Sequence, residues 1–260
     1  MTTAEAATSV RLTIEDQVVL VTMDSPPVNA LSRALCEELT LVFDRMADNP
    51  NIRAAVLTGY GKVFCAGADM KGRAALTEAG ALQQHSRRTR ECFHAIRECA
   101  VPVIAALNGP ALGAGLAIAA SCDVLVASEK ASLGLPEIDV GLLGGGRHAM
   151  RLFSHSRLRR MMLTGYRVPG AELYRIGIVE ACVPEEQLMA AALEIAETIV
   201  SKAPLATRMA KHALNTIEEM SLRDGYRYEQ DMTAIIAKTH DAKEAQKAFV
   251  EKRKPKFEGR

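Results

Sequence analysis

A chain of 260 residues, 48% of them hydrophobic, carries enough apolar side chain for one large domain or for a core with an appendage. Its 32 Lys plus Arg nearly cancel 31 Asp plus Glu, and a net charge of +1 gives no electrostatic case for nucleic acid or an anionic membrane. The six cysteines form no C-x-x-C pair and the six histidines no H-E-x-x-H spacing, so the pattern points to buried reduced thiols and to no metal site.

Met1 to Ser9 is small and polar without an apolar stretch, which is not the pattern of a secretory signal. No apolar run reaches the length of a membrane span, and the expectation is a cytoplasmic protein. Val18 to Met23 predicts a strand, and Asp24 to Asn29 a turn rich in breakers. Ser32 is placed to cap a helix running through Asp48, with Leu35, Leu39, Val42, Phe43 and Met46 at helical spacing. Ala54 to Thr58 predicts a second strand, ended by the turn Gly59-Tyr60-Gly61. A small-residue turn, Phe64-Cys65-Ala66-Gly67-Ala68-Asp69, comes next. Met70 to Ala79 is polar and small and is expected to be a mobile loop, followed by a long helix from Ala81 to Cys99.

Val101 to Leu107 predicts a buried strand, broken by Asn108, Gly109 and Pro110. Gly113-Ala114-Gly115 then leads into a helix over Leu116 to Ala120, and Val124 to Ala127 returns as a strand. The first N–H groups of a helix have no internal acceptor, and the helix dipole adds partial positive charge there. Such an end can hold an oxygen that becomes anionic during a reaction. Amides from this turn and from the 64–69 turn can converge on one oxygen, the geometry of an oxyanion hole.

After Gly145 the pattern turns helical. Pro169-Gly170 interrupts it, and Gly177 to Val183 predicts a short extended piece. Pro184, Pro204 and Asp224-Gly225 then separate helices over Glu185 to Lys202, Leu205 to Ile217, Tyr226 to Thr239 and Ala242 to Lys252. The alternation predicts an α/β architecture, with a helical tail from about residue 200 that packs on its own chain or on a neighbour.

Three separated stretches carry a family resemblance: FCAGADMK at 64–71, PVIAALNGPALGAG at 102–115 and CDVLVASEKASLGLPEIDVG at 122–141. In this order and spacing they resemble the crotonase (enoyl-CoA hydratase/isomerase) superfamily, and the likeness extends to FVEKRKPKF at 249–257. The resemblance implies a core of repeated ββα turns over residues 1–200. It implies a C-terminal helical oligomerisation region over 201–260, forming a homotrimer or a dimer of trimers. The implied partner is an acyl-CoA thioester, with no cofactor beyond the CoA that the substrate carries.

By motif match, the amides of Ala68 and Ala114 hold the thioester oxygen. Residue 114 is usually Gly in the family, and Ala supplies the same N–H if the backbone angles allow a side chain. Family hydratases carry two glutamates. One is matched by Glu137; the other falls at Ala117, one helical turn beyond residue 114, where a methyl can neither orient water nor accept a proton. The resemblance also places Pro27, Val28, Ala66, Asp69, Met70, Leu112, Gly113, Pro136 and Gly145 in substrate or CoA binding. Phe249 and Lys252 fall in a segment that reaches a neighbour's CoA. Arg147 and His148 replace family glycines and are candidate pocket residues. Water addition to an enoyl-CoA is the leading expectation. The single carboxylate also fits a Δ3,Δ2-enoyl-CoA isomerase or a hydroxycinnamoyl-CoA hydratase-lyase, and a non-catalytic acyl-CoA-binding protein is the third alternative.

Overall fold

The computed structural model describes residues 9–260; Met1 to Thr8, most of the stretch read as lacking a signal, lie outside the described residues. The chain opens with an antiparallel hairpin, β1 (Val10–Glu15) and β2 (Val18–Met23), and α1 (Arg33–Arg45) follows. The Ser32 hydroxyl accepts the Leu35 N–H and fixes the start of α1. Next come β3 (Ala54–Gly59), α2 (Met70–Ala74), α3 (Ala81–Glu98), β4 (Val103–Leu107) and β5 (Pro110–Leu112). Then follow α4 (Ala114–Ser121), β6 (Val124–Ser128), β7 (Ser132–Gly134) and a 3-10 turn, Pro136–Val140. The middle of the chain continues with α5 (Gly146–Ala149), α6 (His155–Thr164), β8 (Arg167–Pro169), α7 (Gly170–Arg175) and β9 (Cys182–Val183). Four helices complete it: α8 (Leu188–Val200), α9 (Pro204–Ile217), α10 (Leu222–Ile236) and α11 (His240–Val250).

One sheet has the order β1-β2-β3-β4-β6-β9 and is parallel from β2 onward. A smaller sheet has the order β5-β7-β8. Both faces of the large sheet are covered, so its central strands are apolar throughout rather than alternating. Val19, Val21, Ala55, Leu57, Ala105 and Leu107 face the core shared with α1, α3 and α4. The alternate residues Val18, Ala54, Val56, Ile104 and Ala106 face α8 through Leu188, Ala192 and Ala196.

Several expectations need correction. The strands β1, β5, β7 and β8 were not foreseen; each of the last three is three residues long and too short for a periodic signal. The segment expected as a loop from Met70 to Ala79 begins with α2, because the Asp69 carboxylate accepts the Lys71 and Gly72 N–H groups at 3.1 Å each. Gly225 does not break the chain but lies inside α10, where an added Cβ would meet the Ile217 Cβ at 3.3 Å. The extended piece over Gly177 to Val183 narrows to β9. No described helix is long and apolar enough to cross a membrane.

The helical tail is anchored on its own chain. Lys211 of α9 is 5% exposed; its Nζ lies 2.8 Å from Asp123 Oδ2 and donates to the carbonyls of Val101 at 3.1 Å and Ile96 at 3.3 Å. Removing the ammonium leaves the carbonyls of Val101 and Ile96, both fully buried residues, without this donor, at a combined cost of about 3 kcal/mol. Lys211→Ala is therefore expected to lower Tm by roughly 5–10 °C in a calorimetric scan, and an unchanged Tm would show that the tail is not held at this point.

Candidate active site

The site forms where the 64–69 turn and the start of α4 are drawn together. Asn108, at the end of β4, donates its Nδ2 to the Gly61 carbonyl at 2.8 Å, and its Oδ1 accepts the Gly59 N–H at 3.2 Å. Cys65 and Ala111 form a bridge: the Cys65 N–H donates to the Pro110 carbonyl and the Leu112 N–H to the Cys65 carbonyl. The approach is so close that a Cβ on Gly115 would lie 2.2 Å from the Cys65 carbonyl oxygen, so only glycine fits.

A second bridge, between Leu31 and Ala68, orients the first turn. It uses the Gly67 carbonyl and the Asp69 N–H. In a parallel bridge the central residue's own N–H points to the other side, so the Ala68 amide is directed away from residue 31. Ala114 is the first residue of α4, and its N–H has no intrahelical acceptor. Ala68 and Ala114 line one cavity of about 510 Å³.

Glu137 stands over this junction, at the start of the 3-10 turn. Gly113, the residue before Ala114, has φ 54° and ψ −113°, and a Cβ there would lie 2.4 Å from Glu137 Oε1. Burial pushes the Glu137 carboxyl above its ordinary value; a hydrogen bond from its own backbone amide works against this. Its Oε2 is buried without a hydrogen-bond partner. The carboxyl is thus poised to hold or release a proton rather than to sit in an ion pair. Burial also pushes the neighbouring Cys65 thiol up to about 11, which removes it as a nucleophile near neutral pH.

The structure brings ten of the candidate residues to this cavity: Ala66, Ala68, Met70, Gly113, Ala114 and Ala117 from the two turns and α4, and Pro136, Glu137, Gly145 and His148 from the segment that follows. The others lie outside its wall. Pro27 belongs to the 24–29 turn, and the Val28 carbonyl accepts the Ala66 N–H at 3.1 Å, so this turn braces the first amide loop. Asp69 caps α2, and Leu112 is buried in β5. Arg147 turns outward to an ion pair with Glu219, which corrects its placing as a pocket residue. Phe249 is 86% exposed on α11, and Lys252 follows just beyond it; neither reaches this chain's cavity.

Other wall residues escaped the sequence reading. Ser86, Thr89, Arg90 and Phe93 line the cavity from α3. Their i, i+3, i+4, i+7 spacing marks one helical face and was the available signal. Asp139 adds a second carboxylate to the wall, but its Oδ2 would lie 2.9 Å from a Cβ on Gly165, so it leans to the end of α6. His148 sits edge-on to Phe93, with ring centroids 4.9 Å apart. Burial, reinforced by Arg151, His94, Arg147 and Arg97, holds its imidazole below the ordinary value.

Fold and cavity together define a crotonase-type α/β enzyme. The chain belongs to the enoyl-CoA hydratase/isomerase family, whose profile matches residues 13–260. It is 38% identical over 240 residues to the (7aS)-7a-methyl-1,5-dioxo-2,3,5,6,7,7a-hexahydro-1H-indene-carboxyl-CoA hydrolase of Mycobacterium tuberculosis, covering 92% of this chain and 97% of that one. It is 34% identical over 250 residues to the 2,3-dehydroadipyl-CoA hydratase of Escherichia coli, covering 95% and 97%. Among solved structures, the enoyl-CoA hydratase of Bacillus anthracis superposes with a TM-score of 0.92 at 34% identity, over 97% of this chain and 100% of that one.

Proposed function

We propose that the protein binds an acyl-CoA thioester with its carbonyl oxygen between the amides of Ala68 and Ala114, and that Glu137 moves the proton at the adjacent carbon. The observation that carries this reading is the contact of the Glu137 carboxylate with Gly113, one residue before the Ala114 amide. Charge that develops on the thioester oxygen would be met by two fixed main-chain dipoles, in a pocket that partly excludes water. Glu137 is the acid/base group for the enolate formed there. Hydration of an enoyl-CoA and movement of its double bond share this core.

Ala117 supports the second reading, double-bond migration, because its methyl stands where family hydratases hold their other carboxylate. Pure protein incubated with a 2-enoyl-CoA and, separately, with a 3-enoyl-CoA distinguishes the two. Hydration removes the conjugated thioester absorbance; isomerisation of the 3-enoyl substrate creates it. Thermal stabilisation by an acyl-CoA with no turnover of either substrate would instead leave a binding protein.

The same reading has the enzyme act in the cytoplasm with no cofactor beyond the substrate's CoA. Residues 1–200 form its acyl-CoA-binding core and residues 201–260 its trimerisation region. Exposed Leu222, Phe249 and Val250 on α10 and α11 support a homotrimer or a dimer of trimers, in which Phe249 and Lys252 reach the CoA of a neighbouring subunit. Light scattering that returns a monomer mass would overturn this assembly.

A further inference from the structure

We propose that His148 is the second proton-handling group of this site: the base that takes a proton from the attacking water, in place of the carboxylate missing at position 117. The inference rests on the role of Glu137 given above and assigns the enzyme to water addition.

The chain path carries the argument. After Glu137 the 3-10 turn leads to the Gly144–Gly146 run, which folds back over the junction of the two turns. A Cβ on Gly144 would lie 3.1 Å from Glu137 Oε1, and one on Gly145 would lie 3.4 Å from the Gly113 carbonyl oxygen. The next residues form α5, which packs on α4. His148 thus enters the cavity from the helix beside the one that bears Ala117, and both residues line the same cavity as Glu137. Its successors and predecessors face elsewhere: Arg147 pairs with Glu219, and Ala149 is fully buried. Phe93 holds the ring edge-on from α3 and fixes its plane.

Burial first, and then the surrounding basic groups, favour a neutral imidazole. From α3 it faces His94 and Arg97; from its own segment, Arg147 and Arg151. The nearby carboxylates are occupied: Glu218 of the loop after α9 pairs with Arg97 and Arg151, and Glu219 with Arg147. Glu137 is displaced the opposite way, toward keeping its proton. Both groups are therefore favoured in their neutral forms, a carboxyl that can donate its proton and an imidazole that can accept one. Asp139, the other carboxylate on the wall, leans to Gly165 and is exposed.

The step balances. The water oxygen bonds to C3 while one of its O–H bonds breaks, and that proton passes to the His148 ring nitrogen. The C2=C3 electron pair moves into the enolate held at the thioester oxygen. As the enolate collapses, C2 takes the proton of the Glu137 carboxyl. The imidazolium and carboxylate then re-equilibrate through solvent, and the net change is addition of one water.

The test uses the full-length protein and its His148→Gln and His148→Ala variants. Hydration is followed on 2-enoyl-CoAs of short, medium and long chain, and exchange of C2 hydrogens on butyryl-CoA in heavy water by mass spectrometry. Hydration is expected to fall about 100- to 1,000-fold in both variants, with C2 exchange falling far less. Wild-type kcat/KM for hydration should decline as pH drops through the lowered imidazole pKa, and the variants should lose that limb. The proposal is overturned if hydration survives in both variants, or if hydration and exchange fall together. It is equally overturned if Asp139→Asn, not a His148 change, abolishes hydration, or if the wild-type protein exchanges C2 hydrogens yet hydrates none of the substrates. Persistence of C2 exchange in Glu137→Gln would instead sink the reading of Glu137, so the two failures are distinguishable.

Discussion

Glu137→Gln is expected to lower turnover about 1,000-fold while a CoA thioester still binds. Gln keeps the shape of the side chain over Gly113, so the cavity and the two turn amides should be undisturbed. What is lost is the group proposed to give and take the proton at C2. Asp139 leans toward Gly165, and Ala117 offers only a methyl, so no other carboxylate on this wall is placed to take over. Binding, measured by calorimetry with a non-reactive CoA thioester, should change little. Full turnover in the variant, or loss of binding equal to the loss of turnover, would remove Glu137 from its role.

The same substitution should raise stability, with a definite pH dependence. Burial raises the folded-state pKa of Glu137 above its unfolded value of about 4.3. The stability this group contributes is therefore fully present below the unfolded pKa and is lost as pH rises through the folded one. Glu137→Gln should thus have the higher Tm near neutral pH, and the gap should close as pH falls toward 4. A gap that widens with acid would mean that the carboxylate is stabilised in the fold, against its unpartnered Oε2.

The long elements were legible in the sequence because each carried many residues of one period. Val18–Met23 and the helix at Ala81 matched to within a residue, and Ser32 capped α1 as its type and position implied. The small sheet was not legible: β5, β7 and β8 exist because tertiary pairing completes them, not because three residues prefer to be extended. The site was half legible. The two turns and the Pro-Glu motif offered Ala68, Ala114 and Glu137 as candidates, and all three line the cavity, but no periodicity tells which side of a short helix meets it. Arg147 and His148 are adjacent and were read alike, yet α5 sends one to Glu219 and the other to the cavity wall. The α3 face from Ser86 to Phe93 was hidden for a related reason: polar residues on an amphipathic helix are ordinarily its solvent side.

Gly113→Ala is expected to cost about 100-fold or more in turnover, the sharpest test of how tightly the two halves of the site are fitted. Two effects combine. The residue has φ 54° with ψ −113°, outside the regions that a side chain tolerates. Its new methyl would also stand 2.4 Å from Glu137 Oε1, so either the turn that presents the Ala114 amide or the carboxylate must move. A displacement of about 1 Å at a reacting centre is enough for a loss of this order. Gly141 separates this from a general cost of removing glycine. It caps the 3-10 turn with φ 70° and ψ 24°, and a Cβ there meets nothing within 4 Å. Gly141→Ala should cost about 1 kcal/mol of stability through its left-handed backbone and little turnover. If both variants lose activity equally at a temperature where both remain folded, the contact between Gly113 and Glu137 is not what sets the geometry of the site.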